Sequence, residues 1–206
     1  TSENLDFDRI VIDRGELVTE DLPPLPENQL FKRYEFTESG ISKRVIPGVK
    51  NGIHHVTGNE HDQEGRPSES PVNRKKMMEK RLKKLQNVRI TNPIHIDAPH
   101  ETPDVLFVCL NSSGGTIDEA RGRLENDGIR TNRMIIRQIY PLPSELIKPY
   151  AEKAKQIVVV ENNATGQLAD QLKLRVGYAE KIKNLLKYDG TPFLPSEVYN
   201  GCKELL

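Results

Sequence analysis

Two stretches of this chain repeat one design: an apolar strand, a short polar turn, and a helix start. Val105-Leu-Phe-Val-Cys-Leu110 runs into Asn111-Ser-Ser-Gly-Gly-Thr116 and the amphipathic segment Ile117 to Leu124. Later, Val158-Val-Val-Glu-Asn-Asn-Ala-Thr-Gly-Gln-Leu168 does the same. A continuous apolar run bounded by turn signals reads as a strand buried on both faces, which requires helices above and below it. The expected fold class is therefore α/β, with a mostly parallel sheet flanked by helices. In open sheets of this kind the turns at the carboxyl ends of strands meet ligands and partners.

The alternation continues on both sides of these units. A short strand at Ile94 to Ile96 precedes Val105–Leu110, and helix 116–126 follows it, stopped by Gly128. Strand 133–139, helix 144–154, strand 157–161, helix 165–174, a strand-compatible segment 182–188, a turn at Asp189-Gly190 and a terminal helix 196–206 complete the pattern. Ser70-Pro71 opens an earlier helix with an N-cap and a proline at its first position. Its apolar stripe is Met77, Met78, Leu82 and Leu85, and its other face is basic: Arg74, Lys75, Lys76, Lys80, Arg81, Lys83 and Lys84. Such a face is ordinarily solvated; its functional counterpart is a cationic rim for a phosphate group or an acidic partner.

Residues 1–70 read differently. Short apolar segments there are separated by prolines, as in Asp21-Leu-Pro-Pro-Leu-Pro26, and residues 40–71 are rich in Gly, Pro, His and acid without periodicity. Proline removes a ladder donor and restrains its predecessor. The expectation is a linker and loop-rich extension over residues 1–70, ordered by its neighbours, followed by an α/β domain over residues 71–206.

Of the 206 residues only 35% are hydrophobic, so the core must be concentrated in the second part. Thirty basic and thirty acidic residues cancel, which removes the electrostatic case for nucleic acid or an anionic membrane as partner. No apolar stretch approaches a membrane span and no signal peptide heads the chain, so a cytoplasmic protein is expected. The opening Thr1-Ser-Glu-Asn lacks an initiating Met, as in a fragment of a longer polypeptide. Two cysteines, Cys109 and Cys202, without a C-x-x-C pair, supply neither a four-cysteine metal site nor an iron–sulfur ligand set.

Three groups of residues are candidates for interface or ligand contact. Ser112 and Ser113 stand where a helix N-terminus attracts anions, yet the turn matches no phosphate-loop motif. Glycines giving a tight strand-to-helix turn, with Thr116 near the cap, explain it better. Glu60, His61 and Asp62 cluster carboxylates with an imidazole, but without metal-ligand spacing. An inter-domain hydrogen-bonding role comes before direct catalysis there. Glu161, at the end of an apolar strand, with Asn162, Asn163 and Gln167 adding neutral donors and acceptors, either faces a cleft or caps the following helix. No catalytic residue and no metal ligand is assigned.

A longer set of motifs carries a family resemblance. Lys32-Arg-Tyr-Glu-Phe-Thr-Glu-Ser-Gly-Ile-Ser-Lys-Arg-Val-Ile-Pro-Gly48, Gly58-Asn-Glu-His-Asp-Gln-Glu-Gly65, Asn73-Arg74 and Lys80-Arg81 come first. Glu119-Ala120, Pro141-Leu-Pro143, Val160-Glu-Asn162, Gly166-Gln-Leu168 and Lys187-Tyr-Asp-Gly190 follow in order. Together they resemble the C-terminal part of the alpha subunit of 2-oxoacid:ferredoxin (acceptor) oxidoreductases, the 2-oxoglutarate type especially. The resemblance implies a last domain similar to the C-terminal domain of transketolase, in an enzyme that converts a 2-oxoacid and coenzyme A to an acyl-CoA and carbon dioxide with reduction of ferredoxin. It implies thiamine diphosphate, magnesium and an iron–sulfur cluster in the full complex, none bound by this chain alone. The implied partners are the other domains of the alpha subunit, the beta subunit and a ferredoxin-type acceptor, in an oligomer. Asn111-Ser-Ser-Gly-Gly115 departs from the Gly-Ser-Thr turn common in relatives. The alternative is a stand-alone module binding a small anion such as coenzyme A.

Overall fold

A computed structural model describes residues 6–86, 88, 90–110 and 112–206. Asn111, part of the expected turn, and the opening Thr1 to Asn4 lie outside the described residues. The chain forms two compact units, Glu3–Arg89 and Ile90–Leu206.

The second unit is built on its most apolar strand. In chain order it contains β3 (Ile94–Asp97), β4 (Val105–Leu110), α2 (Ser113–Asn126), β5 (Thr131–Ile136), α3 (Ser144–Lys153), β6 (Gln156–Glu161), α4 (Gln167–Arg175), β7 (Ile182–Leu186) and α5 (Pro195–Leu205); in the first unit β1 (Leu17–Val18) pairs in parallel with β2 (Arg44–Val45), and α1 (Pro71–Gln86) follows them. The five-stranded order is β3-β5-β4-β6-β7. β4 occupies the centre because it has no polar side chain to present to water. Its neighbours β5 and β6 run parallel to it, as β7 does to β6. β3 alone is antiparallel, pairing Ile94 with Ile136 and Asp97 with Arg133.

Because side chains alternate across a strand, β4 and β6 feed two cores. Leu106, Val108 and Val159 pack with Ile147 and Ala151 of α3 and with Leu168 and Leu172 of α4. Val105, Phe107, Cys109, Val158 and Val160 pack with Ile117, Ala120 and Leu124 of α2 and with Val198 and Cys202 of α5. Each large side chain so buried contributes about 1.5–3 kcal/mol from apolar area alone.

Three boundaries differ from the expected ones. Helix α2 starts at Ser113 and not near Thr116, so Gly114 and Gly115 lie inside the helix instead of in a turn. The reason is space: a Cβ on Gly114 would stand 2.6 Å from Ile135 Cδ1, so glycine lets α2 lie close on β5. Strand β5 begins at Thr131 and ends at Ile136, two to three residues earlier than the apolar pattern indicated. Polar Thr131, Asn132 and Arg133 are nevertheless buried, because each has internal partners. Thr131 Oγ1 donates to Glu125, Asn132 Nδ2 donates to the carbonyl of His100, and Arg133 pairs with Asp118 at 2.5 Å. In β7, order stops at Leu186 and not at Tyr188.

The first unit has little regular structure but a dense set of backbone and side-chain hydrogen bonds, and its compact limits include α1. On α1 only Met77 of the expected stripe is buried; Met78, Leu82 and Leu85 are exposed. Among the described residues no helix is long and apolar enough to cross a membrane.

Candidate functional site

The connections of the sheet mark one edge. The chain leaves β4 through α2 toward β5 on one side, and leaves β6 through α4 toward β7 on the other. The carboxyl ends of β4 and β6, adjacent strands, therefore flank a topological switch point, the place where open α/β sheets form a crevice. Cys109 is in register with Val160. Ser112–Ser113 and Glu161–Asn162 thus follow two adjacent strand ends, and Gln167 opens α4 behind them.

The chemistry at this edge is largely used up locally. Glu161 is 5% exposed. Its carboxylate accepts the backbone N–H groups of Leu168 at 2.7 Å and Ala169 at 3.0 Å, and the side-chain amide of Asn163 at 2.8 Å. It caps α4 from a distance in sequence, satisfying donors that a helix start leaves free and placing negative charge at the positive end of the dipole. Asn163 Oδ1 in turn accepts from the N–H groups of Thr165 and Gly166 at 3.0 and 2.7 Å. Asn163, grouped with Asn162 and Gln167 in the sequence, owes this place to the turn-forming run Asn163-Ala-Thr-Gly166.

Asn162 donates to the carbonyl of Thr191 at 3.4 Å and lines a shallow pocket of about 380 Å³ with Lys187, Tyr188 and Thr191. The pocket's lysine is already neutralised, since Lys187 Nζ lies 2.7 Å from both oxygens of Glu197. Ser112 sits at the N-cap of α2 but makes no side-chain cap bond, and Ser113 is the first residue of the helix. Among the described residues the edge presents polar groups without a nucleophile paired to a base.

Glu60, His61 and Asp62 belong to the other compact unit. Arg81 grips Glu60 with two nitrogens, at 2.7 and 3.1 Å, and Arg74 adds a third contact. These guanidinium bonds, Arg81 first, hold the Glu60 carboxyl at about 2, well below the usual 4.5. It stays an anion at neutral pH and is no proton acceptor. His61 lays its ring on Tyr34, centroids 4.1 Å apart, and its Nδ1 stands 2.9 Å from the carbonyl oxygen of Asn59. Its own carbonyl accepts from Asn73 of α1 at 2.8 Å. Asp62 Oδ1 accepts from the N–H groups of Glu64 and Arg66, closing the turn. Gln63, within the same run, accepts from the N–H groups of Tyr34 and Phe36. The loop is a clamp holding segment 34–36 and helix α1 together.

Neither group is a metal centre. Among the described residues no three His, Cys, Asp or Glu side chains converge on one point. Both cysteines are buried, and burial pushes the Cys109 thiol to about 12 and that of Cys202 to about 11, far from the thiolate that a cluster requires.

Comparison with known proteins places these features. Residues 103–198 match the family described as pyruvate:ferredoxin oxidoreductase core domain II. The chain is 33% identical, over 99% of its length and 32% of the relative's, to the 2-oxoacid:ferredoxin oxidoreductase subunit alpha of Saccharolobus solfataricus. It is 28% identical over 70% of its length, and 38% of the relative's, to the 2-oxoglutarate synthase subunit KorA of Methanocaldococcus jannaschii. In structure, 87% of the chain superposes on 31% of a chain of the 2-oxoglutarate:ferredoxin oxidoreductase from Magnetococcus marinus, with a TM-score of 0.71 at 28% identity; that enzyme was solved with 2-oxoglutarate, coenzyme A and succinyl-CoA bound. The chain spans about a third of the length of the relatives it matches. With its β4–α2–β5 core inside the family match and its Glu60 clamp inside the longer alignment, the chain belongs to the 2-oxoacid:ferredoxin oxidoreductase alpha-subunit family.

Proposed function

We propose that this chain is the C-terminal part of the alpha subunit of a thiamine diphosphate-dependent 2-oxoglutarate:ferredoxin oxidoreductase, and that it positions domains and subunits without performing chemistry. The observation that carries the reading is the TM-score of 0.71 to the Magnetococcus marinus enzyme over 87% of this chain. In the reaction, 2-oxoglutarate loses carbon dioxide, the remaining acyl group passes to the coenzyme A thiol with release of its proton, and two electrons go to two ferredoxins.

The local chemistry supports a positioning role. Glu161, Asn163, Glu60 and Asp62 are spent on helix caps, ion pairs and turns. The donor sets do not fit a metal ion or an iron–sulfur cluster. The reading assigns magnesium, thiamine diphosphate and the cluster to the rest of a cytoplasmic, oligomeric complex with the beta subunit. Holding cofactor-bearing domains in fixed geometry contributes to rate, because catalysis tolerates only small misplacements of reacting groups.

Co-purification tests this reading. The tagged 206-residue chain, expressed with the remainder of the alpha subunit and the beta subunit, is expected to assemble with both. A chain that stays apart from both partners would contradict the assignment.

A further inference from the structure

Helix α1 carries seven cations between Arg74 and Lys84, and the structure divides them by task. Arg74 and Arg81 hold Glu60, and Lys75 lies 3.9 Å from Glu79. Lys76 and Lys83 are exposed. Lys80 and Lys84, with Arg81 between them in sequence, line one side of a pocket of about 610 Å³ within the first unit. Arg33 and Tyr34 line it too, as do Arg14 and Arg44.

The positive charge in this pocket is in excess. Its lining includes six cations and two carboxylates, Asp13 and Glu16. Neither carboxylate forms an ion pair among the described residues, and neither do Lys80, Lys84 and Arg33. Arg33 lies over the Tyr34 ring at 5.3 Å, and the ring is braced by His61. Burial, and then the charges of Lys84, Arg33 and Arg81, lower the Lys80 pKa, as befits a cation lacking a counter-charge.

Backbone contacts fix the pocket's shape. Gly40 has φ +78°, and a Cβ there would stand 2.7 Å from the carbonyl oxygen of Lys80 and 2.9 Å from the N of Lys84. The loop carrying Gly40 and Ser42 therefore lies directly against the α1 turn that presents the two lysines. Lys80, Lys84 and Arg33 line one pocket without ion-pair partners among the described residues, with the Tyr34 ring, covered by Arg33 and His61, as its apolar edge; excess cations in one pocket are suited to an anion.

We propose that this pocket binds a small phosphorylated molecule, with Lys80, Lys84 and Arg33 on the phosphoryl oxygens and Tyr34 beside the remainder. Phosphate is favoured over carboxylate because one phosphoryl group brings more negative charge and more acceptor oxygens to several donors at once. The volume exceeds what inorganic phosphate fills, which leaves room for the organic part.

Calorimetric titration of the full 206-residue chain with pyrophosphate, in low salt, tests the proposal. Saturable one-site binding is expected, and Lys84→Gln combined with Arg33→Gln is expected to weaken it about tenfold or more, a tenfold change corresponding to the loss of one good charge-assisted hydrogen bond. Lys76→Gln with Lys83→Gln makes the same change in net charge away from the pocket and is expected to leave affinity within about twofold. Circular dichroism confirms that each variant is folded, and Lys80→Gln gives a second, independent variant. Inorganic phosphate is expected to bind more weakly than pyrophosphate, and succinate more weakly still. Absence of saturable binding, equal weakening by the Lys76 and Lys83 pair, or succinate binding as tightly as pyrophosphate would overturn the proposal.

Discussion

Arg81 and Glu60 form a two-nitrogen ion pair, at 2.7 and 3.1 Å, that ties a loop without regular structure to helix α1. The Glu60 side chain is 16% exposed and Arg81 39%, so the pair is neither fully buried nor freely screened. Glu60→Gln keeps the shape and removes the charge. It is expected to lower the unit's stability by about 1–3 kcal/mol, measured by denaturant unfolding. The folded carboxyl sits at about 2, against 4.5 for the ordinary side chain. Its contribution is therefore complete above pH 4.5 and is lost as pH falls from there toward 2. The Gln variant is expected to show a shallower acid dependence across that window; an unchanged slope would show that the pair adds nothing.

Glu161 is the corresponding anchor of the sheet unit. Glu161→Ala leaves the N–H groups of Leu168 and Ala169 without acceptors in a buried place, and is expected to cost about 2–4 kcal/mol. Asn163→Ala removes a turn clasp that is more exposed, at about 1 kcal/mol. Hydrogen exchange at Leu168 and Ala169 reports the change directly, and protection retained in Glu161→Ala would contradict the capping role.

Legibility in the sequence followed burial. Val105–Leu110 and Ile157–Val160 could be read because a strand covered on both faces must be apolar throughout. The polar start of β5 hid its first residues, since Thr131, Asn132 and Arg133 look like turn until their partners Glu125, His100 and Asp118 are known. Gly114 read as a turn residue for a similar reason: its purpose is set by Ile135, far along the chain. At the candidate sites the residue types were visible but their partners were not. Glu161 was recognisable as a strand-end carboxylate, whereas the Glu60 clamp depends on Arg81, 21 positions later. Ahead of α1 the first unit has no periodicity to read, because loop-to-loop hydrogen bonds hold much of it together.

Gly65 shows how closely those loops approach. It has φ +85°, and a Cβ would fall 1.8 Å from the carbonyl oxygen of His55, so no side chain fits without moving backbone. Gly65→Ala is expected to destabilise the first unit by roughly 3 kcal/mol or more. Gly58→Ala, with nothing within 4 Å of the added carbon, is the control and is expected to stay within about 1 kcal/mol of the parent. Equal effects in thermal unfolding would contradict the close approach.

Thiol chemistry reports on the sheet's α2 and α5 face. Cys109 and Cys202 are fully buried, and burial raises both thiols, to about 12 and about 11. Neither is expected to react with an aromatic disulfide reagent at pH 8 in the folded protein, and both are expected to react once denaturant opens the core. Rapid reaction of either in the native state would place it at the surface.

The most direct test of the account measures acceptor reduction by the complete alpha and beta subunits beside the 206-residue chain alone. The complex is expected to reduce ferredoxin only when 2-oxoglutarate and coenzyme A are both present, and the chain alone is expected to show no turnover. Turnover by the isolated chain, or a complex indifferent to 2-oxoglutarate and coenzyme A, would contradict it.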